Sequence, residues 1–468
     1  MLFGRNECVR PDQTYNWGCS PEILLIAQAK ETAIVGPLPS KISLLLIFSG
    51  LMTALRVCLC LLVAFAVLAF GSNDVWSESV LEVTASLLFV WWALLWYRSS
   101  TKVEWNPLNW PILGFVAIGC LQILFHQTAY AFLTRLELLK LAAYFFFFFL
   151  VVQAFQTLED LSKLAWFLVL LCFAVSMEAI AQYFTASGAI YWLSHYRLNT
   201  TPFGPYPNRS DFAGFIELTL PIGLSLMTFG GISKDRLALM SLFAIVPAGA
   251  VILSSSRGGI ICVAFQLVLL MLLAWRSGAL RLRAKHVIAV GALATVTAGI
   301  ALWLGTDIVR ARFSQLGLHD LSVTRRISLG HGAVRMFFDH PIEGLGLGTI
   351  VAVYPRYETA YDGRLVEHIH NDYLEVLAET GLMGGLCGLA FLWVFFHAAL
   401  KNFRADRGHL SRALHASGIV AVCGILLHSF VEFNLHIPGN VLLFLLQAHF
   451  ATSTSIAQVD LISRRPCV

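Results

Sequence analysis

Apolar runs long enough to cross a lipid bilayer recur from about residue 42 to about residue 455, and no other feature constrains the fold as tightly. A helix rises about 1.5 Å per residue, so roughly 20 apolar residues span the ~30 Å hydrocarbon layer. Inside that layer every peptide group has to find its hydrogen bond within the protein, which leaves helices and closed barrels as spanning structures. The segment YFFFFFLVV at 144–152 is apolar on every side, as a lipid-embedded helix is. The runs place twelve spans at about 45–70, 79–97, 108–125, 131–155, 162–184, 211–230, 236–255, 258–275, 286–304, 381–400, 413–430 and 438–456. Composition agrees, because 57% hydrophobic and 13% charged residues leave too little polar side chain to clothe a water-soluble surface. The expected fold is an all-α integral membrane protein of about 12 transmembrane helices, a single bundle that absorbs most of the 468 residues.

Lysine and arginine favour cytoplasmic loops. Counted from a cytoplasmic N-terminus, the even loops carry Arg98 and Lys102; Lys163; Lys234 and Arg236; Arg276, Arg281, Arg283 and Lys285; and Lys401, Arg404, Arg407 and Arg412. Arg464 and Arg465 lie in the tail, and the odd loops hold no lysine. This pattern predicts a multi-pass protein with both termini cytoplasmic and one long outward loop. The expected organisation is a variable cytoplasmic segment at 1–40, a bundle of nine helices at 41–304, the outward loop at 305–380, and three helices with a tail at 381–468. The net charge of +4 is scattered through short loops, which excludes a nucleic-acid-binding face. Seven of the ten cysteines lie in apolar runs, no CxxC pair occurs, and the long loop has no cysteine, so no disulfide framework is expected there.

The long loop breaks the charge bias with Arg310, Arg312, Arg325, Arg326, Arg335, Arg356 and Arg364. Two readings stand: salt bridges to the loop's own acids (Asp339, Glu343, Asp362, Glu367), or an anion site, since guanidinium forks fit phosphate oxygens. Arg257 sits between two spans, where it either snorkels to headgroups or works as an interfacial cation. Arg209 and Arg135 are weaker candidates for the same work, and Lys140 is expected to pair with Glu137 across one helical turn.

The segment HIHNDYLEVLAETG at 368–381 is the most informative. Asp372 and Glu375 have capping-box spacing, so a short helix is predicted to begin near Asn371 or Asp372 and to stop at Gly381. His370 falls at its start, where the positive end of the helix dipole disfavours imidazolium and leaves the neutral form a general base requires. The alternative is a histidine that merely packs at the loop–membrane junction. His368 and His370 form an HxH pair to which Asp372 could add one ligand, too few to predict a metal, and the outward loop has no DxD pair. Gly344, Gly346 and Gly348 follow no strand of a βαβ unit and so are no dinucleotide fingerprint; they either let backbone approach a ligand or form a tight turn. Tyr354 and Tyr357 are equally explained by stacking on sugar rings or by interfacial anchoring.

The segment HNDYLEVLAETGLMG, preceded by DHPIEGLGLGTI and YPRY, resembles the signature region of the O-antigen ligase and O-antigen polymerase superfamily. TPFGPYPNRSDFAGFIELTLP (201–221), SSSRGG (254–259) and HSFVEFNLHIPGN (428–440) resemble further segments of that family, so the likeness covers roughly residues 60–455. The resemblance implies a GT-C-like, all-helical glycosyltransferase of the bacterial inner membrane, with no cofactor and no metal. It implies transfer of a glycan from an undecaprenyl-pyrophosphate carrier to an acceptor hydroxyl on the periplasmic face, the acceptor being lipid A-core, another glycan or a protein. Carried over by residue, it implies His370 as base, and Arg257 and Arg326 as cations for the departing pyrophosphate. Gly330 stands where the family usually has tryptophan, so Arg325 stays beside Arg326 as the matching arginine. Asn371 and Glu379 complete the HNxYL…AExG pattern, with His368, Gly346 and Gly348 as further supporting residues. A polysaccharide or lipid transporter is the competing class, since twelve spans is a common transporter count, but the ionisable residues crowd one loop and no half-to-half repeat is evident.

Overall fold

The structure, a computed structural model, describes residues 40–99, 102–186, 188–193, 201–230, 236–279, 321–359, 363 and 365–453. The described helices are α1 (Ser40–Leu68), α2 (Val75–Ser99), α3 (Asn109–Leu124), α4 (Ala131–Ala154), α5 (Leu158–Thr185), α6 (Arg209–Phe229), α7 (Leu237–Ser254) and α8 (Arg257–Arg276). They continue with α9 (Leu321–Asp339), α10 (Asp372–Ala405), α11 (His409–His428) and α12 (Pro438–Thr452). Among the described residues there is no sheet, only the isolated bridges Thr201–Asn208 and Phe203–Tyr206. Nine of these helices are long and apolar enough to cross a membrane. The runs predicted at 108–125 and 438–456 are helices of 16 and 15 residues, and the run at 286–304 lies outside the described residues. An all-α membrane protein is what the chain forms, with nine spans supported by length and apolarity where twelve were expected.

Two compact units divide the chain, residues 1–54 and 55–468. The described part of the first is the start of α1, residues 40–54. The second is organised around α6 and α11, which are the most enclosed spans, with 83% and 72% of their apolar windows buried against 22% for α2 and α10. Small residues permit this. A Cβ on Gly418 of α11 would lie 2.3 Å from the Gln447 carbonyl oxygen of α12, and one on Gly259 of α8 would lie 2.4 Å from the Ala213 Cβ of α6. Amide side chains tie the same helices across lipid-depth backbone: Gln266 donates to the Glu217 carbonyl at 2.8 Å, and Gln447 donates to the Leu218 carbonyl. The expected pair forms too, with the Lys140 ammonium 2.8 Å from Glu137 and 3.3 Å from Glu78.

The end of the bundle that holds the candidate residues depends on a break in α10. Gly381 interrupts the helix with φ 59° and ψ −156°, so the predicted stop exists, but the helix resumes at once and runs on to Ala405. A break frees two carbonyls and two amides, and all four are paired by one segment. Ala378 and Glu379 carbonyls accept from Leu345 and Gly346 at 3.0 and 2.9 Å, while Leu382 and Met383 amides donate to Pro341 and Ile342 at 2.8 and 3.3 Å. Gly344 has to be glycine for this: its φ is +72°, and a Cβ would lie 2.3 Å from the backbone of Glu379. Beside this joint, α9 packs through Leu329, Ala333 and Met336 onto Leu345, Tyr354, Ile369 and Ala378.

The Gly418 contact yields a stability test. Gly418→Ala pushes a methyl into α12 backbone and is expected to destabilise the bundle by about 1–3 kcal/mol, seen as a lower apparent melting temperature in detergent. Gly249→Ala, where a Cβ meets nothing within 4 Å, leaves the melting temperature unchanged.

Candidate active site

Two connections meet at this end of the bundle: residues 368–375 at the start of α10, and the turn between α11 and α12. Asn371 is the N-cap of α10, its side-chain oxygen accepting from the Leu374 amide at 3.0 Å. Its amide nitrogen donates to the Phe430 carbonyl at 2.9 Å, the Asp372 amide donates to Ser429 at 3.0 Å, and the Tyr373 hydroxyl donates to Leu426 at 2.6 Å. The predicted helix start is therefore correct, but its cap is Asn371. Asp372 and Glu375 do not form the expected box, because both turn to histidines.

Glu432 in the α11–α12 turn organises the site. One carboxylate oxygen is ion-paired with Arg326 of α9, and the other lies 2.9 Å from His370 Nδ1. Glu432 is buried, whereas Arg326 and His370 are 37% and 30% exposed in their side chains, so the carboxylate is hidden and its two partners are partly open. Burial opposes ionisation of Glu432, but the His370 hydrogen bond and the Arg326 charge outweigh it and hold its pKa down to about 2. A carboxylate only accepts, so Nδ1 of His370 carries the proton and Nε2 is left as the accepting nitrogen. His370 adopts φ +58°, a left-handed conformation that costs a β-carbon residue about 1–3 kcal/mol and that the surrounding ties maintain.

A second cluster adjoins the first. Glu375 lies 2.7 Å from His368 Nδ1 and 3.4 Å from His436 Nε2, and it accepts the Ile369 amide at 2.8 Å through its other oxygen. Asp372 lies 2.7 Å from His436 Nδ1. Burial disfavours the charged form of His436, but Glu375 and Asp372 prevail and push its pKa up to about 10. Phe433 separates the clusters, stacked on His368 at 4.6 Å and edge-on to His370 at 4.9 Å. Beneath them, His428 Nδ1 lies 2.8 Å from Glu217 of α6, both fully buried.

Arg326 and His370 are brought together through Glu432. Of the two neighbouring arginines, Arg326 is the one seen ion-paired with Glu432. Arg257 and Arg209 are half-buried first residues of α8 and α6, helices whose starts touch through the hydroxyls of Ser256, the α8 cap, and Ser210 at 3.4 Å. A Cβ on Gly258, next to Arg257, would lie 2.5 Å from the His428 ring, so this pair of helix starts borders the α11–α12 turn. Arg135 is exposed near the start of α4. Arg310, Arg312 and Arg364 lie outside the described residues.

Other candidates prove to be packing residues. A Cβ on Gly346 would lie 2.2 Å from Thr128 Oγ1, and one on Gly348 3.1 Å from Glu137, so the glycine run is a tight turn whose space is already filled by protein. Glu379 is buried and accepts the Ile350 amide at 3.3 Å, which makes it part of the α10 joint. Tyr354 is a core residue, and Tyr357 donates to Asp339 at 2.8 Å. Sequence reasoning missed Glu432, Glu375 and His436 as site residues. The available signal was an acid between Val431 and Phe433 in a short apolar turn, a position that keeps a carboxylate only with a partner.

The class these observations define is an all-helical membrane protein with a histidine, a buried glutamate and an arginine joined at one end of its bundle. The O-antigen ligase family model matches residues 242–392, from α7 through most of α10, and includes Arg257, Arg326 and His370. Over those residues the chain is similar to the O-antigen ligase family, in keeping with the resemblance of its motifs, and that similarity points to a ligase- or glycosyltransferase-type enzyme with a polysaccharide-related role. No curated protein matches the chain significantly. Glu432 and His436 lie beyond the matched residues.

The lowered pKa of Glu432 fixes a sign. Stabilisation from a carboxylate held near 2 is fully present above its ordinary value of 4.5 and is lost as pH falls toward 2. Wild type and Glu432→Gln are therefore expected to differ in melting temperature by a constant amount from pH 5 to 8, and to converge between about pH 4.5 and 2.

Proposed function

We propose that this protein transfers a glycan from an undecaprenyl-pyrophosphate carrier to an acceptor hydroxyl at the periplasmic face of the bacterial inner membrane. The observation that carries this reading is the Arg326–Glu432–His370 unit. His370 Nε2 takes the proton of the acceptor hydroxyl as its oxygen bonds to the anomeric carbon. The bond from that carbon to the pyrophosphate oxygen breaks, and the electron pair leaves on the pyrophosphate. Attack from the face opposite the leaving group inverts the anomeric centre. Glu432 holds the imidazole in one tautomer and stabilises the imidazolium that forms, the role a carboxylate plays behind a catalytic histidine. Arg326 retains further N–H donors for the leaving group, and Arg257 and Arg209 border the same end of the bundle. These guanidiniums do at the pyrophosphate what a metal ion does in other transferases, so no metal takes part at the leaving group.

The test uses purified protein in nanodiscs with a short undecaprenyl-pyrophosphate glycan and three acceptors in parallel: lipid A-core, a second carrier-linked glycan, and an acceptor protein. Transfer to one acceptor is expected and names the enzyme as ligase, polymerase or protein glycosyltransferase. His370→Ala is expected to lose about 10²–10⁴ in rate. Undiminished transfer by that variant removes the proposed base, and no transfer to any acceptor overturns the reading.

A further inference from the structure

We propose that His368, Glu375 and His436 bind one divalent transition-metal ion of the zinc class, with Asp372 orienting the site. The site is read from geometry alone and stands independently of the transfer reaction. The three donor atoms lie within 4.8 Å of one another. A tetrahedral ion with bonds of about 2.0–2.1 Å sets its ligands roughly 3.4 Å apart. His436 Nε2 and Glu375 Oε1 already stand 3.4 Å apart. His368 Nδ1, at 2.7 Å from the same oxygen, has to withdraw by less than ~1 Å to meet that spacing, and its ring is partly exposed and able to do so.

The surroundings are those a metal ligand set requires. The second nitrogen of His436 is engaged by the Asp372 carboxylate at 2.7 Å, which turns Nε2 toward Glu375. A carboxylate behind a ligating imidazole fixes ring orientation and raises its basicity. Glu375 has one oxygen held by the Ile369 amide and the other aimed between the two imidazoles. Asp372 and Glu375 are both buried, so two negative charges stand beside two imidazoles away from water, a charge that a divalent cation cancels. Two imidazoles and one carboxylate match zinc better than magnesium or calcium, which prefer all-oxygen sites.

The ion would join residue 368, the first turns of α10 and the turn before α12, the same two segments that carry His370 and Glu432. Phe433 lies between it and His370, so the ion fastens the two segments together without touching His370. The sequence offered only the HxH pair and Asp372, which is why no metal was expected; Glu375 and His436 supply the missing ligands.

The experiment is metal analysis of the full chain, purified through a histidine-free tag into nanodiscs without chelator. About one zinc per chain is expected in wild type and in the control His397→Ala. His436→Ala and Glu375→Gln are expected to fall about 10-fold or more, and Asp372→Asn to bind about 10–100-fold more weakly. To exclude misfolded variants as the cause, chelator-stripped wild type is titrated with cobalt, and a visible band saturating at one ion per chain is expected. Wild type without stoichiometric metal and without a saturable cobalt band overturns the site and leaves a proton on His436 as its cation. Full metal content in both ligand variants overturns the assignment as well.

Discussion

A single buried carboxylate, that of Glu432, decides how this end of the protein is arranged. A charge removed from water is tolerated only with partners close by, and here the partners come from two distant parts of the chain, Arg326 of α9 and His370 ahead of α10. Because one oxygen serves each, the guanidinium and the imidazole are held on either side of one rigid group. Their separation is set by the width of a carboxylate rather than by the long connection at 305–380. Both side chains stay partly exposed while the carboxylate between them is buried.

The bundle supplies the rigidity on which that pair depends. The enclosed helices α6 and α11 meet α8 and α12 through glycine contacts and amide hydrogen bonds, so the turn bearing Glu432 leaves a helix that has little room to move. Phe433 and the pairings of Asn371, Asp372 and Tyr373 fasten that turn to the start of α10. The His370 backbone remains in an unfavourable conformation because these ties fix the residues on either side of it.

Much of this was legible in the sequence. Continuous apolar runs report lipid exposure directly, so the helices appear close to where they were read. The exceptions are α3 and α12, whose helices are shorter than the apolar runs that contain them. His370 and Arg326 stood out because ionisable residues are conspicuous against an apolar background. Glu432 did not, since its meaning lies in contacts over 62 and 106 residues of sequence, and no local pattern encodes those. The glycine run was open to two readings, ligand approach or tight turn, and the turn is what forms: Gly344 abuts the α10 backbone, while Gly346 and Gly348 abut Thr128 and Glu137. A sequence motif reads the same whether a ligand or a neighbouring part of the protein demands it.

The break at Gly381 has a mechanical consequence. Before it, the Ala378 and Glu379 carbonyls, and beyond it, the Leu382 and Met383 amides, are hydrogen-bonded to the Pro341–Gly346 segment, and the first turns are also tied to the α11–α12 turn. Gly381 is therefore a braced elbow: the helix changes direction there, yet both of its arms are pinned to one strut, and the residues that follow His370 inherit that fixity.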